Sequence, residues 1–143
     1  MKVTKGIEWI ITCTDNFEDT VAFFRDVMGL AVRSEGVPTT DKQFTRFAQI
    51  EMPNGVVLEI VEPEAAFRTL YAVPVMCITV DDVAQARQEM EDQRVEFVAP
   101  IFTTEAGWGW TYFRAPGGHV HQIQGPIERT RCAAQHRANN RAA

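Results

Sequence analysis

Hydrophobic and polar positions first alternate and then change to a helical spacing within GIEWIITCTDNFEDTVAFFRDVMGL, residues 6–30. The alternating part predicts a β-strand, because successive side chains of a strand point to opposite faces. Asp15 followed by Glu18 predicts a capped helix start, and Gly29 a helix stop. We expect one strand face, with Trp9, Ile11 and Cys13, to pack on the helix. The other face, with Glu8, Ile10 and Thr12, is expected to line a cleft.

The same pattern recurs in VPVMCITVDDVAQARQEMEDQRV, residues 73–95. Asp82 and Gln85 take the places of Asp15 and Glu18 before a second helical spacing. Both halves then end alike, with PNGVVLEIVEP in the first and PGGHVHQIQGP in the second. By the same alternation, the helix-packing face of the second strand carries Met76, Ile78 and Val80, and its cleft face carries Val75, Cys77 and Thr79.

Two more strands fit between the helix and the last strand of each half. They centre on residues 31–35 and 44–51 in the first half, and on 95–99 and 108–114 in the second. Each half is therefore β-α-β-β-β, with modules at about 5–63 and 73–126 joined by a linker or short helix at 64–72. We predict a single α+β domain over residues 1–126, in which the two modules form a half-open mixed β-barrel around a cleft, with the helices outside.

Composition narrows the classes of function. A net charge of −5 argues against a nucleic-acid binder, and no apolar run is long enough to cross a membrane. The start of the chain lacks the pattern of a secretory signal, and Cys13, Cys77 and Cys132 form no CxxC pair, so we expect a cytoplasmic protein with reduced thiols. Residues 127–143 carry four arginines and one glutamate without apolar periodicity, which predicts a basic, flexible tail.

Glu59 is the most unusual residue of the apolar strand PNGVVLEIVEP, because its neighbours are apolar on both faces. A buried, unpaired carboxylate costs several kcal/mol or more unless it gives up its charge. The repeat suggests a different place for this residue. Internal symmetry brings Glu59 together with Glu8, Val75 and Gln122 on the concave side of the two modules.

The paired modules, the stretch D…AFFRDVMGL and the strand PNG…LEIVEP resemble the vicinal oxygen chelate superfamily of glyoxalases, extradiol dioxygenases and bleomycin-type resistance proteins. The resemblance covers about residues 5–126 and implies a scaffold shared by metalloenzymes and metal-free binding proteins. It also implies homodimerisation. Members that use a metal place ligands on the first and last strand of each module, which here are Glu8, Glu59, Val75 and Gln122. Val75 departs from this pattern because it offers no donor atom.

Two interpretations of these residues follow. In the first, Glu8, Glu59 and Gln122 bind a divalent ion such as Ni, Zn, Mn or Mg, and Glu8 or Glu59 serves as the catalytic base of a glyoxalase-like lyase or isomerase. In the second, no metal is needed, because one glutamate is protonated and hydrogen-bonds to the other or to Gln122. The protein then sequesters an aromatic or antibiotic-like compound, with Glu8 or Glu59 as a counter-charge or hydrogen-bond partner. A third possibility is an interaction module that keeps only the fold.

Aromatic residues supply candidate walls for the cleft. Trp108, Trp110 and Tyr112 share one face of a predicted strand, which is typical either of a core or dimer-interface stripe or of a wall for a planar ligand. Phe44 and Phe47 are candidates for the opposite wall. The predicted ligand-binding residues are therefore Ile10, Thr12, Phe44, Phe47, Val75, Cys77, Trp108 and Trp110, whereas His119 and His121 have the opposite parity to Gln122 and are expected to face away.

Overall fold

The structure is a computed structural model that describes residues 1–38 and 43–127. The predicted tail, apart from residue 127, lies outside the described residues together with Cys132. A 3-10 turn spans Ala65–Phe67, and a π-helical turn, Phe23–Val27, continues the first helix. In chain order the strands and helices are β1 Val3–Cys13, α1 Phe17–Ala22, β2 Ala31–Gly36, β3 Phe44–Glu51, β4 Val57–Pro63, β5 Val75–Val80, α2 Val83–Asp92, β6 Phe102–Thr103, β7 Trp108–Arg114 and β8 Val120–Pro126.

The eight strands of the described residues form one mixed sheet in the order β2-β3-β4-β1-β5-β8-β7-β6. The repeat is visible in the pairing, because β1 runs parallel to β4 and β5 runs parallel to β8, each the first and last strand of its module. An antiparallel pairing of β1 with β5 joins the modules at the centre of the sheet. The sheet curls into a half-barrel with the helices on its outer face, which confirms the predicted α+β fold.

Each helix covers one module through its own buried apolar cluster. Val21 of α1 packs with Ile50 and Ile60 of the first module, and Val83 of α2 packs with Val80 and Ile123 of the second. These contacts settle which side of each module faces outward. The opposite, concave side is left for the cleft.

Two local predictions differ from the structure. The first helix begins after Asn16 rather than Asp15, and no side-chain cap bond supports it. At the second helix, Asp82 accepts the predicted hydrogen bond from the backbone N–H of Gln85 at 2.7 Å. The segment 95–99 is not a strand and pairs with β7 only at the single bridge from Phe97 to Phe113. Pro100 follows directly and has no amide hydrogen to donate to a ladder, so the paired strand starts later, at β6.

The segment between the modules turns inward after the 3-10 turn. Tyr71 is buried there with an exposed fraction of 1%, against the concave side of the sheet. This linker therefore closes part of the cleft. In the described part of the chain, no helix is long and apolar enough to cross a membrane.

Candidate functional site

The concave face of the sheet forms a half-open cavity of about 700 Å³ that is lined by both modules of the same chain. Its walls are largely aromatic, and the three tryptophans of the chain all line it. Arg33 stands over the Trp9 ring at the rim, with 5.6 Å between the guanidinium carbon and the ring centroid. The aromatic lining consists of Trp9, Phe44 and Phe47 from the first module and Trp108, Trp110 and Tyr112 from the second.

The faces of β1 are the reverse of those predicted around the cavity. Trp9 and Ile11 line the cavity, whereas the predicted ligand-binding residues Ile10 and Thr12 are not among its lining residues. The cause is a β-bulge: Ile7 pairs with Ile78 and Trp9 with Cys77, so Glu8 is an extra residue between them. A bulge shifts the alternation by one position, and therefore Glu8 and Trp9 both reach the cavity.

Val75 and Cys77 also lie away from the cavity lining, although they occupy the predicted concave face. Both have an exposed fraction of 0% and share a buried cluster with Tyr71 and Tyr112. The inward turn of the linker explains this, because Tyr71 fills the part of the cleft that these side chains would have lined. Burial raises the pKa of the Cys77 thiol well above its ordinary value, and nearby Glu59 adds to the shift, so this thiol is a packing group.

Glu59 faces the cavity, which resolves the question of an acid in an apolar strand. The indole Nε1–H of Trp9 donates a hydrogen bond to its Oε2 at 2.9 Å. Burial raises the pKa of the Glu59 carboxyl, and the hydrogen bonds from Trp9 and the Gln49 side chain only partly offset this. The carboxyl therefore holds its proton to higher pH than an ordinary glutamate does.

A second group of polar side chains forms a chain of hydrogen bonds that runs from Glu8 to Gln122. Thr79 Oγ1 donates to Glu8 Oε2 at 2.6 Å, and Gln124 Nε2 donates to Thr79 Oγ1 at 3.3 Å. Gln122 Nε2 then donates to Gln124 Oε1 at 3.0 Å. At the end of this hydrogen-bond chain, Gln122 Oε1 is buried and has no hydrogen-bond partner among the described residues.

A second unpaired polar atom belongs to Gln43. Its Oε1 accepts from the hydroxyls of Tyr71 and Tyr112 at 3.0 and 3.1 Å, and these two hydroxyl oxygens are 2.7 Å apart. Burial is the main cause that raises the pKa of the Tyr112 hydroxyl well above its usual value, so this phenol stays neutral. Gln43 lines the cavity, and its Nε2 is buried without a hydrogen-bond partner in the part of the chain that the structure describes. Buried polar atoms without partners are rare, and a bound ligand is one way to satisfy them.

The donor set does not fit a four-ligand metal site. Glu8, Glu59 and Gln122 all line the cavity, but Val75 has no donor atom and is fully buried elsewhere. The carboxylates of Glu8 and Glu59 have separate hydrogen-bond partners, on different strands of the sheet. Within residues 1–38 and 43–127, no three His, Cys, Asp or Glu side chains are grouped so that they could hold a metal ion. His119 and His121 are not among the cavity residues either.

Several residues of the site were missed from the sequence. Gln124 could have been found, because HQIQ places it two residues after Gln122 and therefore on the same strand face. Gln49 could likewise have been found from its place on the same strand as Phe47. Gln43 and Tyr71 had no such signal, since both lie outside the predicted strands. Of the predicted ligand-binding residues, the cavity is lined by Phe44, Phe47, Trp108 and Trp110.

Comparison with known proteins identifies a matching family and several structures with a similar fold. The sequence profile of the Glyoxalase/Bleomycin resistance protein/Dioxygenase superfamily matches residues 6–123. No curated protein sequence matches the chain significantly.

Among solved structures, methylmalonyl-CoA epimerase from Mycobacterium tuberculosis superimposes with a TM-score of 0.69 at 15% identity, covering 91% of this chain and 93% of that one. A methylmalonyl-CoA epimerase from Streptomyces coelicolor, solved with 2-nitronate-propionyl-CoA, has a TM-score of 0.67 at 19% identity, covering 86% and 98%. A superfamily member from Vibrio splendidus 12B01 has a TM-score of 0.59 at 16% identity, covering 81% and 95%. At these identities the likeness concerns the fold.

Proposed function

This chain belongs to the Glyoxalase/Bleomycin resistance protein/Dioxygenase superfamily, and from that premise we propose that it binds a planar organic molecule in its cavity without a metal ion. The observation that carries the proposal is the aromatic lining that both modules contribute to a cavity of about 700 Å³. Such a volume suits a drug-sized ligand, and aromatic walls with a few polar groups are typical of small-molecule sites.

Contacts within the walls support a planar ligand. Phe102 and Trp110 stack with ring centroids 5.9 Å apart and an interplanar angle of 26°, so the Trp110 ring is held from behind by a neighbour. Phe44 and Phe47 meet edge to face at 6.1 Å on the other module. Rings that are already held in place lose little side-chain entropy when a flat ligand packs against them.

Tryptophan fluorescence tests this proposal directly, because all three tryptophans line the cavity. We expect members of a panel of aromatic compounds and antibiotics to quench the emission saturably in the presence of EDTA, and to raise the unfolding temperature. Trp110→Ala should weaken binding by at least about tenfold, the loss expected when a stacking ring is removed. No quenching and no thermal shift across the panel would refute the proposal.

A second candidate function is proton transfer to and from a bound carbon acid, with Glu59 as the acid–base group. The specific observation in its favour is the raised pKa of Glu59 in a cavity where Glu8 is instead paired with Lys5, since two carboxyls in different surroundings suit opposite proton-transfer roles. The epimerases named above add an analogy of fold. Because the donor set does not fit a four-ligand metal site, no step of this candidate passes through a metal ion.

Exchange of a carbon-bound hydrogen for deuterium tests the second candidate function. Thioesters and α-hydroxyketones incubated with the protein in D₂O should lose the signal of the acidic C–H in proton NMR spectra. Glu59→Gln should abolish the exchange while aromatic ligands still quench the tryptophans. Exchange that continues unchanged in Glu59→Gln would rule out Glu59 as the base.

The homodimer and the cytoplasmic location stay predictions.

A further inference from the structure

The orientation of the Gln122 amide decides what this wall of the cavity recognises. A side-chain amide can present either its oxygen, which accepts a hydrogen bond, or its nitrogen, which donates one. Its orientation must be assigned from its partners. At Gln122 the partners form a chain of four side chains that begins at a carboxylate, and this chain permits only one assignment.

Each link of the chain fixes the next. The carboxylate of Glu8, which pairs with Lys5 at 3.4 Å, has only acceptor atoms, so the hydroxyl of Thr79 must donate its one proton to it. Thr79 Oγ1 is then only an acceptor for its other neighbour, and Gln124 must turn its nitrogen toward it at 3.3 Å. That leaves Gln124 Oε1 toward Gln122, whose nitrogen donates at 3.0 Å.

The consequence is a buried acceptor without a donor, on a side chain that lines the cavity. Gln122 is 5% exposed and lines the cavity, and its Oε1 has no hydrogen-bond partner within residues 1–38 and 43–127. A ligand group that donates an N–H or O–H to this oxygen would satisfy it. A ligand with an acceptor at the same place would bring two oxygen lone pairs together, which is unfavourable in a site shielded from water.

We propose that the cavity selects planar ligands that donate an N–H or O–H to Gln122 Oε1, and that Glu8 sets this selectivity as a positioning residue acting through Thr79 and Gln124. The inference rests on the proposed binding function and names the class of ligand for the same site. Glu8 acts at a distance from the ligand group. Its role is to fix the direction of every hydrogen bond between itself and Gln122.

Indole and benzofuran are suitable probes, because they share one bicyclic shape and differ in an N–H against a ring oxygen. Benzofuran is the more apolar of the two, so an unselective apolar cavity would prefer it. In calorimetric titrations of the whole chain, we expect indole to bind about tenfold more tightly than benzofuran. That ratio corresponds to one hydrogen bond gained and one repulsion avoided.

Substitutions in the hydrogen-bond chain distinguish a positioning role of Glu8 from general damage to the fold. Glu8→Gln introduces an amide that can donate to Thr79, so the chain can reverse and turn Gln122 Nε2 toward the cavity; the indole preference should fall to about one or invert. Thr79→Val breaks the chain with little change of shape and should also abolish the preference. Thr79→Ser keeps the hydroxyl, and Lys5→Ala keeps the Glu8 carboxylate, so both should keep the ratio. Circular dichroism verifies folding of every variant.

The outcomes distinguish this inference from the function on which it rests. If both probes bind but the wild-type ratio is near one, or if it persists in Glu8→Gln and Thr79→Val, the selectivity mechanism is wrong and cavity binding stands. If neither probe binds, the planar-ligand function and the inference both fall. A preference that is lost in Glu8→Gln and Thr79→Val and kept in Thr79→Ser and Lys5→Ala supports both.

Discussion

Glu59 and Glu62 lie on the same strand, yet their surroundings shift their pKa values in opposite directions. Burial raises the pKa of Glu59, which faces the cavity. Hydrogen bonds from Arg46 and Thr45 lower the pKa of Glu62, which lies at the surface. At the scale of single residues, the sequence LEIVE indicates an unusual acid. It does not indicate whether the pKa of that acid is raised or lowered, because this depends on partners from other strands.

The pair predicts opposite effects of pH on stability. Glu59 has a raised folded-state pKa, so its favourable contribution is complete below the ordinary carboxyl pKa and is lost as pH rises through the raised value. Glu59→Gln, which cannot ionise, should therefore gain unfolding temperature relative to wild type as pH rises from about 4 to 8. Thermal unfolding measured at several pH values gives this difference.

Glu62→Gln is the matched control on the same strand. The lowered pKa of Glu62 means that its contribution is present above the ordinary carboxyl pKa and is lost as pH falls. This variant should lose stability at neutral pH and approach wild type under acid conditions. Equal pH slopes for the two variants would contradict the assignment of Glu59 to a desolvated site.

The two helices differ in how they start, although the sequence predicts the same device for both. Asp82 accepts a hydrogen bond from the backbone of Gln85 at the start of α2, whereas Asn16 at the start of α1 makes no such bond. Asn16 instead donates its side-chain amide to Asp19 at 2.8 Å. The capping motif is readable in the sequence, but which residue occupies the cap depends on the turn that leaves the strand, where Asp15 bonds to Arg68 of the linker.

We expect Asp82→Ala to lower the free energy of unfolding by about 1 kcal/mol, because it removes a side-chain cap. Asn16→Ala at the equivalent position should cost clearly less. Urea denaturation of both variants measures the comparison. A loss at Asn16 equal to that at Asp82 would mean that the missing cap bond forms in solution.

Gly125 marks a close approach between β8 and β5. Its φ is +154°, and a Cβ added there would lie 2.3 Å from the carbonyl oxygen of Val80, which is backbone and cannot move aside. Gly125→Ala should therefore destabilise the fold by about 1–3 kcal/mol or more, the usual cost of overpacking. Gly36→Ala is the control, since its Cβ would meet only the Phe47 ring at 3.7 Å. Chemical denaturation that finds equal losses would contradict the close approach.

At the scale of the molecule, the duplication explains what the sequence could predict and what it could not. The parallel pairs β1–β4 and β5–β8 follow from the repeated pattern, and with them the position of Glu59 and Gln122 on the cavity. The exceptions break the repeat. The bulge at Glu8 and the inward turn at Tyr71 have no counterpart pattern in the other module, and they depend on pairing and packing between distant segments.

The same architecture predicts how many ligands each chain holds. The aromatic and the polar lining residues come from both modules of one chain, joined by the β1–β5 pairing, so the cavity needs no second copy to be lined. Calorimetry with indole should give one site per chain, and its Kd should not change when the protein concentration varies over about two orders of magnitude. Sedimentation at the same concentrations records the state of association. Half a site per chain, or an affinity that rises together with self-association, would mean that the functional cavity is shared between two chains.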